Sequence, residues 1–293
     1  MFLNHFEYLV PQTPAEALEL VSRLGSKAKI LAGGTDLLVL MKAKAITPEY
    51  LIDINEVEEF KGILCVEDKG AVIGTTTKLS EIQFSEAIKA KYPALAYAVG
   101  EVGSAQVRNM ASLGGNSCNA SPAAETPPPL VALGAKVVVS SLDGERELPL
   151  EEFIQGVRKI DLREGEILTK FILPEPAPRS ACRYAYMGRR DAMEIDCVNM
   201  AVQLELAEDN ETVKEVRLVM GSVYPQPLLA KEVPLLLTGQ KLTDELIEKA
   251  AVLAQGEAKP IDDIRASAEY RREIVAVLAR RLLKETYAAA KGV

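Results

Sequence analysis

The sequence predicts an α+β protein of two domains, the first of them divided in two. Three observations lead there. Over about the first sixty residues, segments of helical and strand period alternate. Beyond them the pattern changes to strands paired through a glycine turn, and the chain ends in a long amphipathic helix. Between the two halves, Pro174, Pro176 and Pro178 interrupt regular structure and form a linker. The expected boundaries are a first domain over 1–176, with subdomains of about 1–60 and 61–176, and a smaller α/β domain over 177–293 with a sheet and helices.

The elements follow in order. "TPAE" at 13–16 starts a helix, with Thr13 as N-cap, Pro14 at the first helical position and Glu16 completing a capping box. Ala17, Leu18, Val21 and Leu24 give that helix its apolar face, and Gly25 stops it. "KILA" at 29–32 is a buried strand, Leu37 to Met41 a short helix, and "YLIDI" at 50–54 the next strand. "GILCVEDKGAVIGTTT" reads as two strands joined at Asp68-Lys69-Gly70. A helix follows through 92–102, and then small residues and prolines in "ASPAAETPPP" prevent any long regular element. "AKVVVSS" and "EILTKFILP" are strands, as are segments near 182–187, 198–206 and 214–223. "TDELIEKAAVLAQGEA" is a helix. The last helix carries Ile274, Leu278 and Leu282 on one face, with Arg271, Arg272, Arg280 and Arg281 expected on its solvated side.

Composition excludes several functions. The 34 basic and 42 acidic residues give a net charge of −8, which argues against nucleic acid or an anionic membrane surface as partner. No apolar run reaches ~18 residues, so no membrane insertion is expected. The N-terminus lacks the basic and apolar regions of a secretory signal, and a cytoplasmic location is the expectation. Cys65, Cys118, Cys182 and Cys197 are widely spaced, so no zinc site or iron–sulfur cluster is expected on this chain. His5 is the only histidine, and its strand-like setting gives it a structural role.

Two glycine doublets remain, Gly33-Gly34-Thr35 and Gly114-Gly115-Asn116, about eighty residues apart. An ordinary connection between strand and helix explains either alone. Neither is GxGxxG, and GxxxxGK[ST] is absent, so Rossmann and P-loop sites lack their fingerprints. Peptide N–H groups at two such turns can donate to the diphosphate of a bent dinucleotide, where any larger side chain would push it away. Hydroxyls at Thr35 and Ser112 add donors, and Asn116 offers both an amide and a carbonyl.

"AGGTDLLVLMK", "VRNMASLGGNSCNASPAAETPPPLVALGA" and "RASAEYRREIVAVLARRLL", in this order and over nearly the whole chain, resemble the FAD-binding medium subunit of the molybdenum hydroxylases, which include carbon monoxide, xanthine and nicotinate dehydrogenases. The resemblance implies a two-subdomain, PCMH/VAO-like FAD-binding fold followed by the family's C-terminal domain. It implies cofactor contacts at Ile30, Leu31, Ala32, Gly33, Gly34, Thr35, Asp36 and Leu37, and at Ser112, Leu113, Gly114, Gly115 and Asn116. It adds Gly103 before the second turn, Leu168 through its backbone, and Glu125, which stands where an aspartate binding the ribityl or ribose region is commoner. Tyr186 stands where many members have a lysine near the flavin ring. The cysteines do not match the extra cluster-binding loop of some benzoyl-CoA-reductase relatives.

The implied function is electron transfer. Substrate is hydroxylated at molybdopterin on a large subunit, and electrons pass through [2Fe–2S] centres of a small subunit to this FAD and on to NAD+, a quinone or another acceptor. No catalytic acid or base and no metal ligand is demanded of this chain, and the expected assembly is a dimer of heterotrimers. Since His5 is the sole linkable residue and is remote, the FAD is expected to be non-covalent. Two other readings stand beside it: a stand-alone FAD-dependent oxidase of the related fold, and an assembly subunit that has lost FAD.

Overall fold

Thr13 begins the first helix, Pro14–Leu24, by accepting the Glu16 N–H, while the Glu16 carboxylate reaches back to the N–H of Gln12, one residue before the N-cap. In the computed structural model, which describes residues 3–190 and 193–292, that helix lies on a parallel three-stranded sheet of order Glu7–Leu9, Tyr50–Asp53, Ala28–Leu31. Ala17, Leu18, Ile52, Ile54, Val57 and Phe60 form its small core. His5 is exposed and precedes the first strand.

The second subdomain is an antiparallel sheet of order Ile63–Val66, Gly70–Gly74, Ile167–Leu173, Lys136–Ser141, Gly144–Pro149, covered by helices. Pro93–Glu101 matches the expected helix, and two short helices follow, Ala105–Met110 and Leu113–Asn119; the stretch 120–129, where small residues and prolines were expected to prevent a long element, only begins the short helix Pro127–Ala132. Proline is tolerated in the first helical turn because the N–H groups there have no partner inside the helix. The linker is anchored rather than loose. Glu175 pairs with Lys91 at 2.7 Å and accepts the Gly70 N–H at 3.1 Å, and the Tyr92 hydroxyl donates to the Pro174 carbonyl at 2.9 Å.

Beyond it, Ser180–Met187, Val198–Leu206, Val213–Gly221 and Leu228–Leu229 form a second antiparallel sheet in that order. Alternate residues point to opposite faces of a strand. One face, with Met200, Val202, Leu204 and Leu218, packs on the helices Asp244–Glu257 and Ala268–Lys291. The other, with Cys182, Tyr184, Ala201 and Val219, shares the core of the second subdomain.

One expectation fails in the last helix. Arg271 is not solvated: it is 3% exposed, donates to the Cys197 and Ser222 carbonyls at 2.7 and 3.1 Å, and pairs with Asp263 at 2.7 Å. Charge spacing along a helix does not reveal which arginine the neighbouring loops will enclose. Removing one partner of a buried pair strands the other, so Arg271→Ala is expected to cost about 3 kcal/mol. Arg272→Ala, on the exposed side, should stay within about 0.5 kcal/mol of wild type. Denaturant unfolding of the two variants compares them directly.

Candidate functional site

A cleft of about 530 Å³ opens where three parts of the chain converge. Residues 28–37 bring the first glycine doublet, 111–119 the second, and 162–168 close one end. Val21, Ala28, Ile30, Ile52, Ile54 and Leu162 are among its apolar lining residues, and Lys29 and Arg163 are the cations that line it.

The glycines divide by what their missing side chains would meet. A Cβ on Gly33 would lie 2.2 Å from the Met110 carbonyl oxygen and 2.7 Å from Ala111 Cα, so the first turn rests directly on the backbone leading to the second. A Cβ on Gly114 would lie 1.8 Å from Thr75 Oγ1 and 2.7 Å from the Thr75 carbonyl oxygen. Gly34 has φ +69°, which favours glycine. Gly115 differs from all three. It is exposed to the cleft, and a Cβ there would meet only Ser112 Oγ, at 3.1 Å. No protein contact demands glycine at 115.

Hydrogen bonding also separates the turns. Among the described residues, the peptide N–H groups of Gly33, Gly34, Thr35, Asp36 and Leu37 have no protein acceptor, and Asp36 does not cap the helix Leu37–Lys42 that follows. Consecutive amides turned outward through a left-handed residue make an anion-binding nest. The second turn has no such row. Gly114 N–H goes to the Thr75 carbonyl at 2.9 Å, Gly115 N–H to Ser112 Oγ at 3.1 Å, and Asn116 N–H to the Ser112 carbonyl at 3.0 Å. The second turn's amides are therefore already occupied, contrary to the expectation that they serve as free donors, whereas those of the first have no protein acceptor among the described residues. What the second turn presents is the Ser112 hydroxyl proton and the Asn116 side chain. Behind the first turn, Lys78 donates to Asn55 Oδ1 and Asn55 to the Ala32 carbonyl, both at 2.8 Å, which fixes the strand end that carries the nest.

Of the positions singled out from sequence, Ile30, Ala32, Gly33, Gly34, Thr35, Asp36, Leu37, Ser112, Gly114, Gly115, Asn116 and Leu168 line this cleft. Leu31, Gly103, Leu113, Glu125 and Tyr186 do not, although Val102 and Val107 near Gly103 do. The loop 162–166 escaped the sequence reading. Its one signal was Gly165 before a strand, at φ +83°.

Glu125 and Tyr186 belong to a neighbouring cluster where the second subdomain meets the C-terminal sheet. Tyr186 donates to Glu101 at 2.7 Å and Tyr184 to Asp196 at 3.2 Å, and Asn199 donates to Asp196 at 2.9 Å. Burial, with Asp196 nearby, pushes the Glu125 carboxyl up to about 8. Burial likewise raises Asp196, against hydrogen bonds from Asn199 and Tyr184 that favour its charged form. The cluster joins the cleft through Thr126, whose hydroxyl donates to Asn116 Oδ1 at 2.6 Å.

Residues 4–176 match the family described as the FAD binding domain in molybdopterin dehydrogenase, and residues 183–286 match the CO dehydrogenase flavoprotein C-terminal domain. The chain is 30% identical over 285 residues to the glyceraldehyde dehydrogenase medium chain of Sulfolobus acidocaldarius, covering 97% of this chain and 99% of that one. It is also 30% identical over 282 residues to the xanthine dehydrogenase FAD-binding subunit of Escherichia coli O157:H7, covering 96% and 95%. A solved carbon monoxide dehydrogenase from Hydrogenophaga pseudoflava, lacking the Mo-pyranopterin moiety of its cofactor, superposes with a TM-score of 0.93 at 30% identity over 98% of this chain and 99% of that one.

Two outcomes follow from this geometry. Gly33→Ala and Gly114→Ala should each cost about 1–3 kcal/mol through backbone overlap, whereas Gly115→Ala should stay within about 0.5 kcal/mol of wild type; thermal unfolding checks the order. The Glu125 carboxyl binds its proton more tightly folded than unfolded, so folding takes up protons above the ordinary carboxyl range. Stability is then expected to fall as pH rises from that range through about 8, and to level off beyond. Glu125→Gln should reduce that slope in melts taken across the window, leaving the share contributed by the raised Asp196 carboxyl.

Proposed function

The chain belongs to the FAD-binding medium subunits of the molybdenum hydroxylases, and from that premise we propose that its cleft holds one FAD non-covalently. The amides of residues 33–37 and the side chains of Ser112 and Asn116 would hold its diphosphate. One observation carries the reading: a row of peptide N–H groups without protein acceptors faces a cleft that an exposed, Cβ-free Gly115 keeps open. The apolar lining residues Val21, Ala28, Ile30, Ile52, Ile54 and Leu162 would suit the adenine ring, and the Leu168 backbone would add a contact. Leu31, Leu113 and Gly103 shape the two turns from outside the lining. Glu125 and Tyr186 act from the carboxyl and tyrosine cluster reached through Thr126.

Bound FAD supplies redox chemistry able to take electrons singly from an iron–sulfur centre and deliver them in pairs to an acceptor. The chain's own residues bind and orient it. No general acid or base is assigned to them, since hydroxylation belongs to a large molybdopterin-binding subunit. We place this chain between a small [2Fe–2S] subunit and an acceptor such as NAD+, in a cytoplasmic dimer of heterotrimers. The division near residue 176 separates the FAD-binding part from the C-terminal part. Among the described residues, no helix is long and apolar enough to cross a membrane.

Acid precipitation should release all flavin into the supernatant, at one FAD per chain, and a yellow pellet would exclude the non-covalent mode. Gly115→Val should lose FAD while keeping wild-type circular dichroism, because the branched side chain enters the cleft and not the protein. Full flavin content in that folded variant would remove the second turn from the site. The isolated subunit should oxidise no substrate until the molybdenum and iron–sulfur chains are added.

A further inference from the structure

We infer that Thr126 is a positioning residue that fixes the side-chain amide of Asn116 with its nitrogen toward the cofactor, an inference that rests on the FAD reading above. An asparagine amide has a donor end and an acceptor end of nearly the same shape. Which end faces the cleft decides whether an anion there is attracted or repelled. Thr126 is fully buried and does not line the cleft, and its hydroxyl donates to Asn116 Oδ1 at 2.6 Å. That leaves Nδ2 for the side that Asn116 presents to the cleft.

The sequence shows why the hydroxyl is free to act this way. Thr126 stands at the N-cap of Pro127–Ala132, where a threonine oxygen ordinarily accepts an N–H from the second or third helical residue. Here those residues are Pro128 and Pro129, which have no N–H, and Thr126 makes no capping bond. With no helix donor to accept, its hydroxyl turns to Asn116. The orientation matters because the peptide amides of the second turn are already occupied, which leaves Ser112 Oγ–H and Asn116 Nδ2 as its donors.

Titration of the deflavinated full chain with FAD, followed by flavin fluorescence, tests this in wild type and four variants. Thr126→Val keeps the shape, removes the donor and should weaken binding about tenfold; Thr126→Ser should stay within about twofold. Asn116→Asp places a carboxylate oxygen where Nδ2 was, and should bind at least about tenfold more weakly than Asn116→Ala. Packing alone predicts no such order, since aspartate is nearer asparagine in size than alanine is. Wild-type affinity in Thr126→Val, or Asn116→Asp binding no worse than Asn116→Ala, would overturn the inference and leave the FAD reading standing. Should Thr126→Val fail to fold, the order of the two Asn116 variants decides alone. A wild-type chain that takes up no FAD would sink the FAD reading and this inference with it.

Discussion

The cleft depends on two places where backbone meets backbone with no side chain between. Gly33 lies against Met110 and Ala111, and Gly114 against Thr75. The second contact is reinforced by a short ladder: Gly114 N–H to the Thr75 carbonyl, Leu113 N–H to the Thr77 carbonyl, and Leu79 N–H to the Ala111 carbonyl. Three stretches far apart in sequence are thereby held against one another. The price of that locking is that the second turn's amides become structural. Only the first turn, which is held from behind through Asn55 and Lys78, keeps its peptide donors free. The two doublets look alike in sequence and do different work.

Most of the architecture was legible. Thr13, read as an N-cap, accepts the Glu16 N–H, and the strand at 198–206 was read to the residue. The glycine doublets marked the cleft because glycine next to a polar small residue is costly unless something approaches closely. Sequence alone does not tell which way a missing Cβ points. That direction is set by tertiary contacts, so Gly33 and Gly114, which admit protein, were indistinguishable from Gly115, which faces the cleft. Arg271 failed for the same reason. Its charge and spacing match its exposed neighbour Arg272, and the carbonyls of Cys197 and Ser222 that enclose it come from other strands and turns.

Glu125 and Tyr186 show how far a motif register carries. Glu125 directly precedes Thr126, the partner of Asn116, yet the groups around it and Tyr186 come from the C-terminal sheet and the helix Pro93–Glu101. A buried carboxyl beside another buried carboxyl disfavours its own charge twice, by desolvation and by repulsion. Neither the partner Asp196 nor the burial is visible from the motif that contains Glu125. The perturbed acid is thus a property of the domain junction rather than of the glycine-rich segment.

That junction also ties the C-terminal sheet to the segment that carries Thr126. Among the described residues, none beyond Leu168 lines the cleft, so the C-terminal domain contributes nothing to its surface. It holds instead the segment that runs behind it. The Pro122 carbonyl accepts the Ser222 N–H at 2.7 Å, the Ala124 carbonyl accepts Asn199 Nδ2 at 3.5 Å, and the Val131 carbonyl accepts Arg217 at 2.9 Å. These bonds flank Thr126 on both sides. A residue that touches Asn116 is therefore placed by strands that never reach the cleft.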